Sequence, residues 1–97
     1  MSYHFHAEAE AEHLENVAYY ETQQPGLGAS YLAEFESALE RVCEAPNRYS
    51  IEREPDIRRI RLRRFPYTVL FRESDGRVQV LAVAHYRRRP MYWLSRR

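Results

Sequence analysis

The sequence predicts an α+β fold in the order β-α-α-β-β-β, an antiparallel sheet with a helical hairpin packed on one face. Three observations predict it. Apolar residues recur every three to four positions through the first half of the chain, then alternate with period two in the second half. The helical half is divided by Pro25-Gly26-Leu27-Gly28, a connector short enough to imply antiparallel helices. The strand half contains Ser74-Asp75-Gly76, a strong hairpin signal between apolar runs.

Each element follows in turn. Tyr3 and Phe5 alternate with His4 and His6, which predicts a short first strand. From about Ala7 the spacing becomes helical: Ala7, Ala11, Leu14 and Ala18, with Val17 beside them, form the expected apolar face, and Glu8, Glu12 and Glu15 the opposite one. This helix stops near Gln24, because Pro25 disfavours helix in the residue before it. A second helix begins near Leu27. Tyr31, Phe35, Leu39 and Val42 give its stripe, and Ala45-Pro46-Asn47 ends it. Cys43 lies on its apolar side and reads as a buried small hydrophobe. Residues 47–56 read as a loop.

Ile60 and Leu62 alternate with Arg59, Arg61 and Arg63, so one face of this strand is apolar and the other basic. Phe65-Pro66-Tyr67 breaks it, since proline cannot donate to a ladder. Tyr67 to Arg72 is a strand of high β-propensity. Val78 to Ala84 is almost continuously apolar, as expected of a central strand covered on both faces. His85-Tyr86 closes it. Arg87, Arg88 and Arg89 follow, then a short tail with Tyr92 and Trp93.

The 97 residues make a single domain, 1–97. One cysteine excludes an internal disulfide and a cysteine-cluster zinc site. No apolar run reaches the ~20 residues that span a bilayer. A soluble cytoplasmic chain is expected, with no membrane partner. His4 and His6 share a strand face, but two histidines without a third ligand do not complete a metal site, so no metal or cofactor is expected.

The net charge of +1 conceals a strong asymmetry. Residues 1–47 carry nine Glu against one Arg, a net −8, whereas residues 48–97 carry fourteen Arg against five acids, a net +9. There is no lysine. Arginine makes planar two-point contacts with phosphate and carboxylate and keeps its proton at any working pH. The second half therefore suits a polyanion or an acidic protein. Two helices with one apolar stripe each cover one face of a small sheet, so the other face is left to carry a site. Arg59, Arg61, Arg63, Arg87, Arg88 and Arg89 are its candidate partner- or nucleic-acid-binding residues. Tyr92 and Trp93 either anchor a partner or belong to a tail that folds back over the sheet edge. His85 is the only histidine in the basic half and the one candidate acid or base there.

Tyr19-Tyr20, the Pro25–Gly28 connector, Phe65-Pro66-Tyr67, the run Val80 to His85 and Arg89-Pro90-Met91-Tyr92-Trp93 together resemble the RelE/ParE toxin superfamily, on its ParE-like or plasmid-stabilisation side. The resemblance spans nearly the whole chain in order and spacing. It implies the toxin of a type II toxin–antitoxin pair, neutralised by a small acidic antitoxin encoded beside it. Within the superfamily, ParE-like members bind DNA gyrase, and RelE-like members cut mRNA on the ribosome. RNA cleavage by the 2′-hydroxyl needs a base, a phosphate stabiliser and an acid. Here Arg61, or Arg59, Arg63 or Arg87, could stabilise the phosphate, His85 could act as acid or base, and Tyr86 or Tyr92 could assist or stack on a base; His85-Tyr86 resembles the YoeB branch of the nucleases. The absence of the lysines common in RelE-type nucleases favours the gyrase-binding reading. A descendant that only binds antitoxin is the third reading.

Overall fold

A computed structural model describes residues 1–96. The chain runs β1 (Tyr3–Phe5), α1 (Ala7–Gln23), α2 (Leu27–Glu44), a 3-10 turn (Pro46–Arg48), β2 (Ile51–Arg53), β3 (Ile57–Arg61), β4 (Tyr67–Ser74) and β5 (Arg77–His85). The five strands form one sheet in the order β1-β5-β4-β3-β2. β2 to β5 pair antiparallel with their neighbours, and β1 pairs parallel with β5. The α+β layout is the one expected, with two additions. β2 lies within the segment read as a loop; three residues are too few for a period of two to show. The parallel strand joins the two ends of the chain, a pairing that leaves no local signal in either segment.

The helical hairpin is held by its connector. A Cβ on Gly28 would lie 2.7 Å from the Val17 carbonyl oxygen, so only glycine permits this approach of the helices. Gly26 takes φ 90°, a left-handed conformation disfavoured for other residues. The Glu21 carboxylate accepts the N–H groups of Gly26 and Gly28, each at 3.0 Å, and so satisfies donors exposed where α2 begins.

Tyr31, Phe35, Leu39 and Val42 of α2 are fully buried, as their spacing predicted. They meet Val69, Phe71, Val78 and Val80 of β4 and β5 in the main core. Each such burial contributes about 1.5–3 kcal/mol. Cys43 is half-buried, and burial pushes its thiol pKa up.

α1 departs from its predicted face. Ala7, Ala11, Leu14 and Ala18 are exposed, Leu14 at 60%. The inward face is Ala9, His13, Asn16 and Tyr20, spaced by four, three and four, with Val17 beside them. Alanine side chains bury little area, so turning His13 and Tyr20 inward removes more surface from water than the alanine stripe would. His13 lies 4.2 Å from the Phe35 ring centroid and 5.1 Å from that of Phe5. Its Nδ1 is 3.3 Å from the Tyr31 hydroxyl, which also accepts from the Asn16 amide at 3.2 Å. Burial holds the His13 pKa below its ordinary value and pushes that of Tyr31 up to about 12.

A histidine whose folded pKa is depressed binds its proton more readily in the unfolded chain. Its contribution to stability is complete above its unfolded pKa of about 6.5 and is lost as pH falls below that value. We expect the melting temperature to drop between pH 7.5 and pH 5. His13→Phe, which keeps the aromatic packing, should flatten this pH dependence in calorimetric melts.

Candidate partner-binding groove

The side of the sheet away from the helices carries the basic groove. Leu81 decides which residues reach it. Val80 pairs with Phe71 and Ala82 with Leu70, so Leu81 is an extra residue, a bulge in β5. Before the bulge, Val78 and Val80 face the helices; beyond it, Val83 does so, and Ala82 and Ala84 face away. The bulge also turns backbone groups of β5 toward the side where β1 has already ended at Phe5. The Leu81 carbonyl and the Val83 N–H there have no strand partner.

Two charged side chains take the place of that strand. Glu12 of α1 accepts the Val83 N–H at 2.9 Å. Arg96 Nη1 donates to the Leu81 carbonyl at 3.0 Å. The two also bind each other, Arg96 Nη1 and Nη2 donating to Glu12 Oε1 and Oε2, both at 3.0 Å. The Tyr92 hydroxyl donates to Glu12 Oε2 at 2.6 Å, and Arg96 Nε lies 3.2 Å from Glu8. Burial opposes the Arg96 charge, but the bonds and charge of Glu12 outweigh it and raise its pKa. Burial and then the bond to Glu12 carry the Tyr92 hydroxyl well above its ordinary range.

This clasp folds the tail over part of the sheet face. Trp93, a candidate partner contact from the sequence, is only 4% exposed and packs with Leu70, Leu81, Ala82 and Ala84. Its apolar surface anchors the chain's own tail on the sheet, and it also borders the groove. Tyr92 is likewise engaged internally. Its ring also carries Arg88, whose guanidinium carbon is 3.9 Å from the centroid, and Arg96 at 5.1 Å. The tail thus forms one wall of a groove of about 440 Å³, with Arg59, Arg61 and Tyr86 on the sheet side and Arg88, Arg89 and Met91 on the tail side.

Not every predicted arginine belongs there. Arg59 pairs with Glu52 at 3.1 Å and donates to the Ile51 carbonyl at 3.2 Å, tying β3 to β2. Arg61, 5.9 Å from the Tyr86 ring centroid, has no ion-pair partner among the described residues, and neither have Arg88 and Arg89. Arg63 is displaced from the groove. β3 ends at Arg61, and beyond it the alternation fails as the chain bends toward α2, where Glu34 accepts the Arg63 and Arg64 N–H groups and Arg64 Nε. Arg63 therefore borders a hollow with Glu34, Ser37 and Arg41. Burial acts to raise the Glu34 pKa, but these bonds prevail and lower it. Arg87 lies exposed in the turn after β5, outside the groove lining, and its N–H donates to His85 Nδ1 at 3.0 Å.

His85 turns its ring toward Tyr67 rather than toward the arginines it was grouped with. It borders the groove, but it pairs with Tyr67, and its ring stands edge-on to the Tyr67 ring at 5.3 Å, on the helix side of the sheet. Arg61 and Tyr86 are together on the other side. The Leu81 bulge, invisible to strict alternation, is the reason. Sequence reasoning also missed Glu12 and Arg96, since it assigned Glu12 to the solvent face of α1.

The family model of the ParE toxin of the type II toxin–antitoxin system parDE matches residues 3–90. The chain therefore belongs to the ParE toxin family. Its fold is similar to that of a solved chain from the chromosomal ParDE toxin–antitoxin system of P. aeruginosa. The TM-score is 0.74 with 19% identity over 88% of this chain and 95% of that one. No curated protein sequence matches it significantly. No helix among the described residues is long and apolar enough to cross a membrane.

Glu12→Ala removes the acceptor for the Val83 N–H and leaves Arg96 largely enclosed without its main counter-charge. Breaking a buried pair from one side costs about 3–5 kcal/mol, toward the lower end here because Glu8 still reaches Arg96. Chemical denaturation should show this loss, and Trp93 fluorescence should report a solvent-exposed indole in the folded variant.

Proposed function

We propose that the chain arrests growth in the cytoplasm by binding DNA gyrase through the basic groove, and that a small acidic antitoxin neutralises it. The observation that supports this most directly is the orientation of His85: it borders the groove with Arg61 and Tyr86, but its ring stands edge-on to Tyr67 and its Nδ1 accepts the Arg87 N–H. A ribonuclease needs its proton-transfer group within reach of the phosphate stabiliser. The unpaired guanidiniums of Arg61, Arg88 and Arg89 suit carboxylates of a protein surface or phosphates of the DNA it holds. Arginine side chains do not serve as general bases at working pH. The antitoxin is a partly disordered acidic segment that orders on contact, its carboxylates meeting the same guanidiniums.

Growth arrest after induction tests this, with thermal melting as the control for folding. His85→Gln should leave toxicity within a small factor. Arg61→Glu combined with Arg88→Glu should abolish it, and should weaken the antitoxin encoded in the adjacent frame by at least tenfold. Loss of toxicity in folded His85→Gln, with mRNA cut on the ribosome in the parent protein, would instead establish the nuclease reading.

A further inference from the structure

A second hollow, of about 550 Å³, lies on the helix side of the sheet near the last turns of α1. Its walls are Tyr19, Tyr20, Tyr67 and His85, with Glu15 at the rim. The rings stand nearly perpendicular in succession. Tyr19 and Tyr20 are 5.2 Å apart at 77°, Tyr20 and Tyr67 6.3 Å apart at 87°, and Tyr67 and His85 5.3 Å apart at 87°. Together the four rings wall an open hollow with aromatic surface on several sides. The arrangement is fixed from behind: Tyr20 stacks on Tyr31 at 5.7 Å, and the hydroxyls of Tyr20 and Tyr67 are 3.4 Å apart. His85 is held by the Arg87 N–H at its Nδ1. Tyr19, 54% exposed, forms the open wall.

The electrostatics select the ligand. Although the chain has fifteen arginines, none of those described lines this hollow, and its one charged residue is Glu15. α1 carries five glutamates and no base in its last turn, so no cationic side chain of this helix end competes for the hollow. Aromatic faces and a carboxylate both attract a cation. We infer that this hollow receives an arginine side chain presented by a partner protein. Arginine suits it better than lysine because a planar guanidinium can stack on one ring while its edge donates to Glu15. The site lies on the opposite side of the sheet from the basic groove, and the inference does not depend on the target proposed above.

The test is a nuclear magnetic resonance titration of the whole chain with N-acetyl-arginine amide, following the aromatic resonances. Saturable shifts are expected at Tyr19, Tyr20, Tyr67 and His85. The uncharged citrulline analogue should bind more weakly by about 2–5-fold or more, as expected for loss of a cation–π contact. Tyr19→Ala and Glu15→Gln, both at exposed positions that leave the core intact, should each weaken binding similarly. Absence of saturable shifts, equal binding of citrulline, or indifference to both variants would overturn the site. Equal or tighter binding of N-acetyl-lysine amide would overturn the choice of arginine. Tighter binding of free arginine than of the blocked amide would overturn its presentation by a protein.

Discussion

The Glu12 carboxylate ties three parts of the chain together at one point. It comes from α1, accepts the backbone of β5 and holds the tail through Tyr92 and Arg96. The need for it arises in the backbone. β1 is only three residues long, and the Leu81 bulge turns a carbonyl and an N–H of β5 into the gap beyond it. Unpaired groups in that position cost about 1–3 kcal/mol each. Supplying an acceptor from a helix and a donor from the tail satisfies both, and the two charges then neutralise one another. With the tail fixed, Trp93 closes a second small core on the sheet, and Arg88 and Arg89 are brought opposite Arg61.

The bulge also distributes chemistry between the two sides of the sheet. Had β5 alternated without interruption, His85 would share a face with Leu81 and Leu70, beside Arg61. Instead it faces Tyr67 and the tyrosines of α1. One side of the sheet thereby carries the cationic groove, which His85 borders, and the other is aromatic with a carboxylate at its rim. The charge division seen along the sequence becomes a division in space, although an imperfect one, because Glu12 and Glu34 spend their charge on arginines and backbone of the second half.

The parts of the fold carried by large side chains at regular spacing were legible in the sequence. The stripe of α2, the helical connector, the hairpin at Asp75-Gly76 and the continuous apolar run of β5 all stand where the residues placed them. Features with no apolar periodicity were not. The inner face of α1 is built from His13, Asn16 and Tyr20, whose burial depends on partners in α2 and β4. β2 is too short to show a period, and a bulge is one residue in an unbroken apolar run. In the site, the groove arginines Arg61, Arg88 and Arg89 were legible from charge alone. The places of Arg63, Arg87 and His85 were not, because each depends on where a strand ends, turns or shifts register, whereas the tail folding back over the sheet through Trp93 was one of the two readings the sequence left open.

The groove depends on the tail and Glu12 sealing the edge of β5 in the free protein, and amide hydrogen exchange at Val83 measures that seal directly. The Val83 N–H is bonded to a side chain, with no strand beside it on that edge. If the clasp is an integral part of the fold, this amide exchanges only with global unfolding, at the rate of the Val69 and Val80 amides in the core. Exchange of Val83 orders of magnitude faster, at the rate of the exposed turn around Gly76, would show that the tail does not hold the edge. The groove would then lack the wall on which the proposed binding depends.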